Sequence, residues 1–126
     1  MEDWYAKPDA GQLIVSPAEE DLVEPHDAWA ENLILAKGIS RYQEFVTTPV
    51  NKITSNWAGL RTFAPDRSLV IGSARNHPTF FFMAGQGGYG FQTAPAASSL
   101  LKELIMGLPH DLELKTREKL DPKRFN

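Results

Sequence analysis

The sequence predicts an α+β fold in which an antiparallel sheet of about four to six strands carries two principal helices, near residues 27–45 and 92–106. Three observations lead there. Short strand-like segments flank a cluster of turn residues near the N-terminus. Apolar residues recur at helical spacing between Ala28 and Phe45. From Thr79 to Gly107 an apolar run, a glycine cluster and a run of helix formers succeed one another.

Trp4 to Lys7 and Gln12 to Ser16 lie on either side of Pro8-Asp9-Ala10-Gly11, whose Pro and Gly suit a tight reversal, so a β-hairpin is expected. Pro17 and Pro25 bracket an acidic connection, and His26-Asp27 offer an N-cap for the first helix. In that helix Ala28, Trp29, Leu33, Ala36, Ile39, Tyr42 and Phe45 form the apolar side, with Gly38 as a candidate interruption. Val46-Thr47-Thr48-Pro49 breaks the pattern, and Val50, Ile53 and Trp57 suggest one or two extended segments. Ala64 to Arg67 reads as a turn and Ser68 to Ile71 as a short strand. Thr79 to Ala84 is the most apolar strand candidate; its Phe80, Phe81, Phe82 and Met83 read as a buried strand, with an exposed aromatic face as the alternative. The second helix runs to a stop at Gly107, with Pro95 tolerated in its first turn. The charged tail carrying Lys115, Arg117, Lys119, Lys123 and Arg124 reads as a solvated helix or arm.

At 126 residues, 42% hydrophobic and 23% charged, the chain suits one globular domain rather than two. A formal charge of −3 with scattered basic residues argues against nucleic acid as a partner. With no cysteine, the chain has no disulfide, thiolate metal site or thiol nucleophile. The polar, acidic start is unlike a signal peptide, and no apolar run nears the roughly 18 residues of a membrane span. A cytoplasmic, membrane-free protein is the expectation. His26, His77 and His110 are too dispersed for a metal signature, and Glu19, Glu20, Asp21 and Glu24 read as an acidic surface connection.

Gly85-Gln86-Gly87-Gly88-Tyr89-Gly90 satisfies G-x-G-x-x-G between a strand and a helix, the order a dinucleotide fingerprint needs. That fingerprint also requires a second strand ending in an acid about 20 residues on. Asp111 has the offset, but "MGLPHD" before it contains Gly and Pro, and no alternating βα units lie upstream. A NAD-binding domain is therefore the weakest reading. Two others stay open: a nest of glycine N–H groups opening a helix and accepting negative charge, or a glycine turn needed only for tight packing. Arg61, taken alone, is an ordinary arginine at the end of an extended segment.

In order along the chain, "GQLIVSPAEEDLVEPHD", "SNWAGLRTFAPDRSLVIG" and "FFMAGQGGYGFQTAPAASSLLKELI" resemble the C-terminal part of FAD-dependent oxidoreductases of the D-amino-acid oxidase, glycine oxidase and sarcosine oxidase family. The resemblance covers about Trp4 to Gly107. It implies a partial domain of a larger flavoenzyme fold: residues 1–84 substrate-domain-like, 85–107 a flavin-facing glycine turn and helix, and 108–126 a charged tail. It implies FAD as cofactor, with Gly87, Gly88, Tyr89, Gly90 and Phe91 against the flavin ring and the helix after them aimed at the ring edge that becomes anionic on reduction. It implies that Arg61, in W-A-G-L-R, clamps the carboxylate of a small-molecule amino acid or amine substrate, which is oxidised by hydride transfer to flavin N5.

The family's N-terminal dinucleotide-binding unit is not among these residues. The resemblance therefore implies a truncated product, an excised domain or one component of a split enzyme, inactive alone, that needs a separate FAD-binding domain or subunit and is open to homo-oligomer formation. A non-catalytic interaction or oligomerisation module derived from the same family is the alternative.

Overall fold

Residues 4–125 are described by a computed structural model, in which the chain divides into two compact units, Met1–Leu60 and Arg61–Asn126. The first opens with the expected hairpin. Tyr5–Asp9 (β1) pairs antiparallel with Gln12–Ser16 (β2), from Tyr5 opposite Ser16 to Asp9 opposite Gln12. The reversal is a two-residue turn at Ala10 and Gly11, both at positive φ (46° and 77°), the geometry whose twist matches that of the flanking strands. Pro8 lies within β1, opposite Leu13. With no N–H to donate, it is tolerated because each strand of a two-stranded ribbon is an edge.

The first helix, Asn32–Phe45 (α1), starts five residues later than the His26-Asp27 cap suggests. Those side chains are engaged otherwise: His26 Nδ1 is 2.7 Å from the Glu24 carbonyl oxygen, and its ring meets Trp29 edge-on at 5.7 Å. Glu31 holds the N-cap position without a side-chain hydrogen bond. Gly38 does not interrupt α1. A Cβ there would stand 3.3 Å from Cβ of Pro17, so the missing side chain lets the helix approach the end of the hairpin. Trp4 completes the contact, edge-on to Tyr42 and stacked on Phe45, each at 5.8 Å. Residues 46–60 then run without helix or strand, so the extended segments expected there form no ladder.

In the second unit Val70–Ser73 (β3) pairs antiparallel with Phe81–Ala84 (β4), from Val70 opposite Ala84 to Ser73 opposite Phe81. Among the described residues the architecture is α+β and antiparallel, with four strands divided between two two-stranded sheets rather than joined in one. Gly90–Met106 (α2) packs on β3 and β4 and supplies Ala97 and Leu100 to a core with Ile71; Leu69, Leu101, Leu104, Leu112 and Leu120 surround it. Since α2 begins at Gly90, Pro95 falls in its second turn, where it forgoes the bond to the Phe91 carbonyl. Gly107, left-handed at φ 65°, stops the helix as expected.

One expectation fails in this unit and a second holds only in part. Phe80, Phe82 and Met83 are exposed and Phe81 is half-buried, because β4 pairs with β3 alone and α2 covers only part of its side chains. The tail, expected as a solvated helix or arm, does contain a helix without a buried residue, but it is not a free arm. Leu114–Leu120 (α3) and a 3-10 turn at Pro122–Arg124 fold back onto β3, so close that a Cβ on Gly72 (φ 151°) would stand 2.8 Å from Cδ of Pro122. Arg124 grips Asp66 through Nε (2.7 Å) and Nη2 (3.0 Å) and donates from Nη2 to the Ser68 carbonyl (3.0 Å).

Candidate functional site

The glycine cluster comes directly after β4 and becomes the first turn of α2. Gly85 and Gly87 take positive φ (71° and 52°), a conformation that costs a residue with a Cβ roughly 1–2 kcal/mol. Between them Gln86 accepts from the Tyr89 N–H at 3.0 Å, closing a tight turn. Tyr89 is the N-cap residue and makes no side-chain cap hydrogen bond. Its carbonyl instead receives the Thr93 N–H (3.0 Å) and hydroxyl (2.9 Å). The first N–H groups of α2 have no acceptor within the helix, so a row of amide donors with the positive end of the helix dipole opens here.

The segment Arg61-Thr62-Phe63 lies along this turn. The Thr62 carbonyl accepts from the Gly87 N–H at 2.9 Å. A Cβ on Gly88 would stand 3.2 Å from Nη1 and 3.4 Å from Cζ of Arg61, so the guanidinium lies against the Gly88 backbone. A Cβ on Gly87 would run into the Phe63 ring, 2.9 Å from Cδ1 and 3.1 Å from Cζ. Arg61 and Phe63, two positions apart, thus both meet the glycine turn. Tyr89 is exposed, and Phe91 is 99% exposed beside the start of the helix.

The turn and Arg61, separate signals in the sequence, are therefore brought together. Gly87, Gly88, Tyr89, Gly90 and Phe91 form one continuous surface at the helix start, and Arg61 borders it at Gly88. Phe63 escapes sequence reasoning; its one signal is the two-residue spacing from Arg61. The other motifs lie elsewhere. Asp111 is exposed in a segment with neither helix nor strand, so the second strand of a dinucleotide unit does not form. His110 approaches Glu103, with Nδ1 3.4 Å from Oε2, and Ser99 donates to Glu103 Oε1 at 3.1 Å on the α2 side of the core. Among the described residues no three His, Asp or Glu side chains cluster to hold a metal, and no helix is long and apolar enough to cross a membrane. Asp66 carries a lowered pKa: the Arg124 hydrogen bond is the main cause, with the Ser68 N–H and the Arg124 charge adding to it against partial desolvation.

Residues 2–104 match the family described as FAD dependent oxidoreductase. The chain is 28% identical over 116 residues to a glycerol 3-phosphate dehydrogenase of Caloramator mitchellensis, an overlap that covers 90% of this chain and 24% of that protein. It is 32% identical over 68 residues to the tRNA 5-methylaminomethyl-2-thiouridine biosynthesis bifunctional protein MnmC of Acinetobacter baylyi, covering 54% of this chain and 11% of that protein. The chain thus spans a quarter or less of the length of these curated relatives.

Proposed function

We propose, for a chain that belongs to the FAD dependent oxidoreductase family, that the glycine turn and Arg61 form the part of a redox site where flavin ring and anionic substrate meet. Within it we assign an amino acid or amine as the substrate. One observation carries the reading: the Arg61 guanidinium lies against Gly88, within the turn that opens α2. Anion clamp and helix N-terminus therefore face one place.

The residues present suit such a ring. Gly88 is exposed at the turn, amides without a side-chain cap open the helix, and the exposed Tyr89 and Phe91 offer aromatic faces. Gly87, Gly88, Tyr89, Gly90 and Phe91 would hold the cofactor. FAD, when bound there, would supply a two-electron acceptor for a hydride from the substrate carbon, the amine nitrogen giving up a proton so that an imine is left for water to hydrolyse. The chain's own part is electrostatic and positional. The helix start favours negative charge beside it, and Arg61 offers two parallel donors to an anion while staying charged at every working pH. Glycine at position 88 keeps the guanidinium close to the turn, since a Cβ would push on Nη1.

The similarity to a protein named glycerol 3-phosphate dehydrogenase favours a second substrate class, a phosphorylated alcohol, whose phosphate suits the same arginine fork. Both classes share the clamp. The test is an FAD titration monitored by flavin fluorescence, and then amino acid or glycerol 3-phosphate binding to the flavin-loaded protein with and without Arg61→Ala. Losing a charge-assisted pair should weaken the true substrate by about 10- to 100-fold. Unchanged affinity rejects the clamp, and a chain that takes up no FAD even when supplied with the separate FAD-binding domain it is expected to need supports the non-catalytic interaction module.

A further inference from the structure

Glycine 87 poses a mechanical problem. It sits at φ 52° and carries no side chain, so nothing of its own holds the backbone in that region, and glycine has the most freedom to leave it. A surface of aimed amides is useful only if it is already in place before a ligand arrives. The neighbouring segment supplies the restraint. Thr62 takes the Gly87 N–H at 2.9 Å, and the Phe63 ring fills the space a Cβ would enter.

That ring is itself secured. The Arg67 guanidinium lies over it, with Cζ 4.4 Å from the ring centroid. Arg67 reaches this position from a tight turn in which its N–H donates to the Ala64 carbonyl at 2.8 Å and its backbone is left-handed at φ 61°. A left-handed non-glycine residue persists where its surroundings over-determine it. Here the surroundings include Asp66, which accepts from the Ser68 N–H (3.2 Å) and from the Arg124 guanidinium. The restraint therefore runs through consecutive contacts from Arg124 to Gly87.

We infer that Phe63, clamped by Arg67, is a positioning residue that holds the turn at Gly87 in the conformation that aims the amides after it, and sets Arg61 against Gly88. The role rests on the reading of the turn as a cofactor-facing surface, but its physical content concerns this chain alone. Phe63 touches neither cofactor nor substrate in this role; it acts through the turn.

The test compares Phe63→Ala and Phe63→Tyr with the unaltered chain by amide hydrogen exchange and then by the FAD titration. In Phe63→Ala the Gly87 and Gly88 amides should exchange about 10-fold faster relative to those of Ile71 and Leu100, and Phe63→Tyr should restore them. FAD affinity should fall by about 10-fold in Phe63→Ala and return in Phe63→Tyr. Phe63→Leu, which keeps the bulk without the aromatic ring, serves if the alanine variant does not fold; the same selective loss is expected of it. Acceleration shared equally by Ile71 and Leu100 would make Phe63 a plain packing residue and overturn the inference. Unchanged Gly87 exchange, or FAD affinity unmoved while Gly87 loosens, would do the same. If the unaltered chain takes up no FAD even with a separate FAD-binding domain supplied, the cofactor reading fails, and the exchange pattern still decides whether Phe63 holds the turn.

Discussion

The two units solve the same problem with unequal success. Both set a helix against a two-stranded ribbon, yet Arg61–Asn126 buries Ile71, Ala97 and Leu100 with a surround of leucines, whereas among the described residues of Met1–Leu60 only Gly38 and Tyr42 are buried. Trp29, Leu33, Phe45, Ile53 and Trp57 of the first unit are exposed. The difference lies in the course of the chain beyond each helix. After α2 it turns at Gly107 and returns α3 and the 3-10 turn across β3, adding a further layer; after α1 it runs through residues 46–60 without forming a ladder. A two-stranded ribbon is marginal by itself and gains stability from what packs on it, so a returning segment adds burial beyond that of the one helix. The glycine turn and Arg61 lie in the unit that has this support, where amides can be held in place ahead of a ligand.

The strongest test of this contrast is a pair of leucine truncations. Leu100→Ala, at a site 2% exposed, should destabilise its unit by about 2–5 kcal/mol, while Leu33→Ala, 64% exposed, should change stability by less than about 0.5 kcal/mol. Urea unfolding monitored by amide signals from each unit measures both. Equal costs would mean that Leu33 is covered in solution and the contrast is false.

A pair of glycine substitutions sharpens it at the site. Gly87→Ala forces a Cβ into both a left-handed backbone and the Phe63 ring, and should cost about 1–3 kcal/mol with loss of the turn's amide protection. Gly59→Ala, with nothing within 4 Å, should be neutral or stabilise by less than about 1 kcal/mol through the unfolded chain. Thermal denaturation separates the two.

These contrasts also explain what could be read from the sequence. The hairpin, the helix stop at Gly107 and the strand, glycine cluster and helix order were legible because Pro, Gly and apolar runs act locally. The start of α1 was misplaced because Asp27 has the chemistry of a cap but His26 holds the preceding loop through Glu24 and Trp29. Burial of Phe80 to Met83 was misjudged for another reason. A four-residue apolar run reads alike whether its strand is central or paired on one side, and β4 has a single partner. The return of the tail is held by contacts such as the Arg124–Asp66 pair, 58 positions apart, and Leu120 against the core, which no local pattern reveals. The roles proposed for Arg61 and the glycines come from family resemblance, whereas the contact of Phe63 with Gly87 joins residues 24 positions apart and is visible only in the structure.

Acid should weaken the second unit through that same pair. The Arg124 hydrogen bond lowers the folded-state pKa of Asp66 below its ordinary 3.8, so its contribution is fully present above that value and is lost as pH falls through the lowered folded value. Asp66→Asn should therefore flatten the stability profile below about pH 4. Amide exchange at Ser68 and Gly87 across that range measures it, and a profile unchanged by the substitution would detach the tail from the turn.

The smallest effect is expected in the first unit and runs the other way. Ala10 occupies the first position of the hairpin turn at φ 46°, where its Cβ is strained, and Gly11 comes next at φ 77°. Asn tolerates this backbone better, and Asn-Gly is the favoured pair for such a turn, so Ala10→Asn should stabilise the hairpin by up to about 1 kcal/mol. The gain should appear as slower exchange of the Ala6 and Val15 amides, which lie opposite one another in the ladder. It should leave Ile71 and Leu100 unchanged, because distant sites with no shared partners add independently. Slower exchange in both units would show that they unfold as one, and their unequal burial would then be a feature of packing without a counterpart in stability.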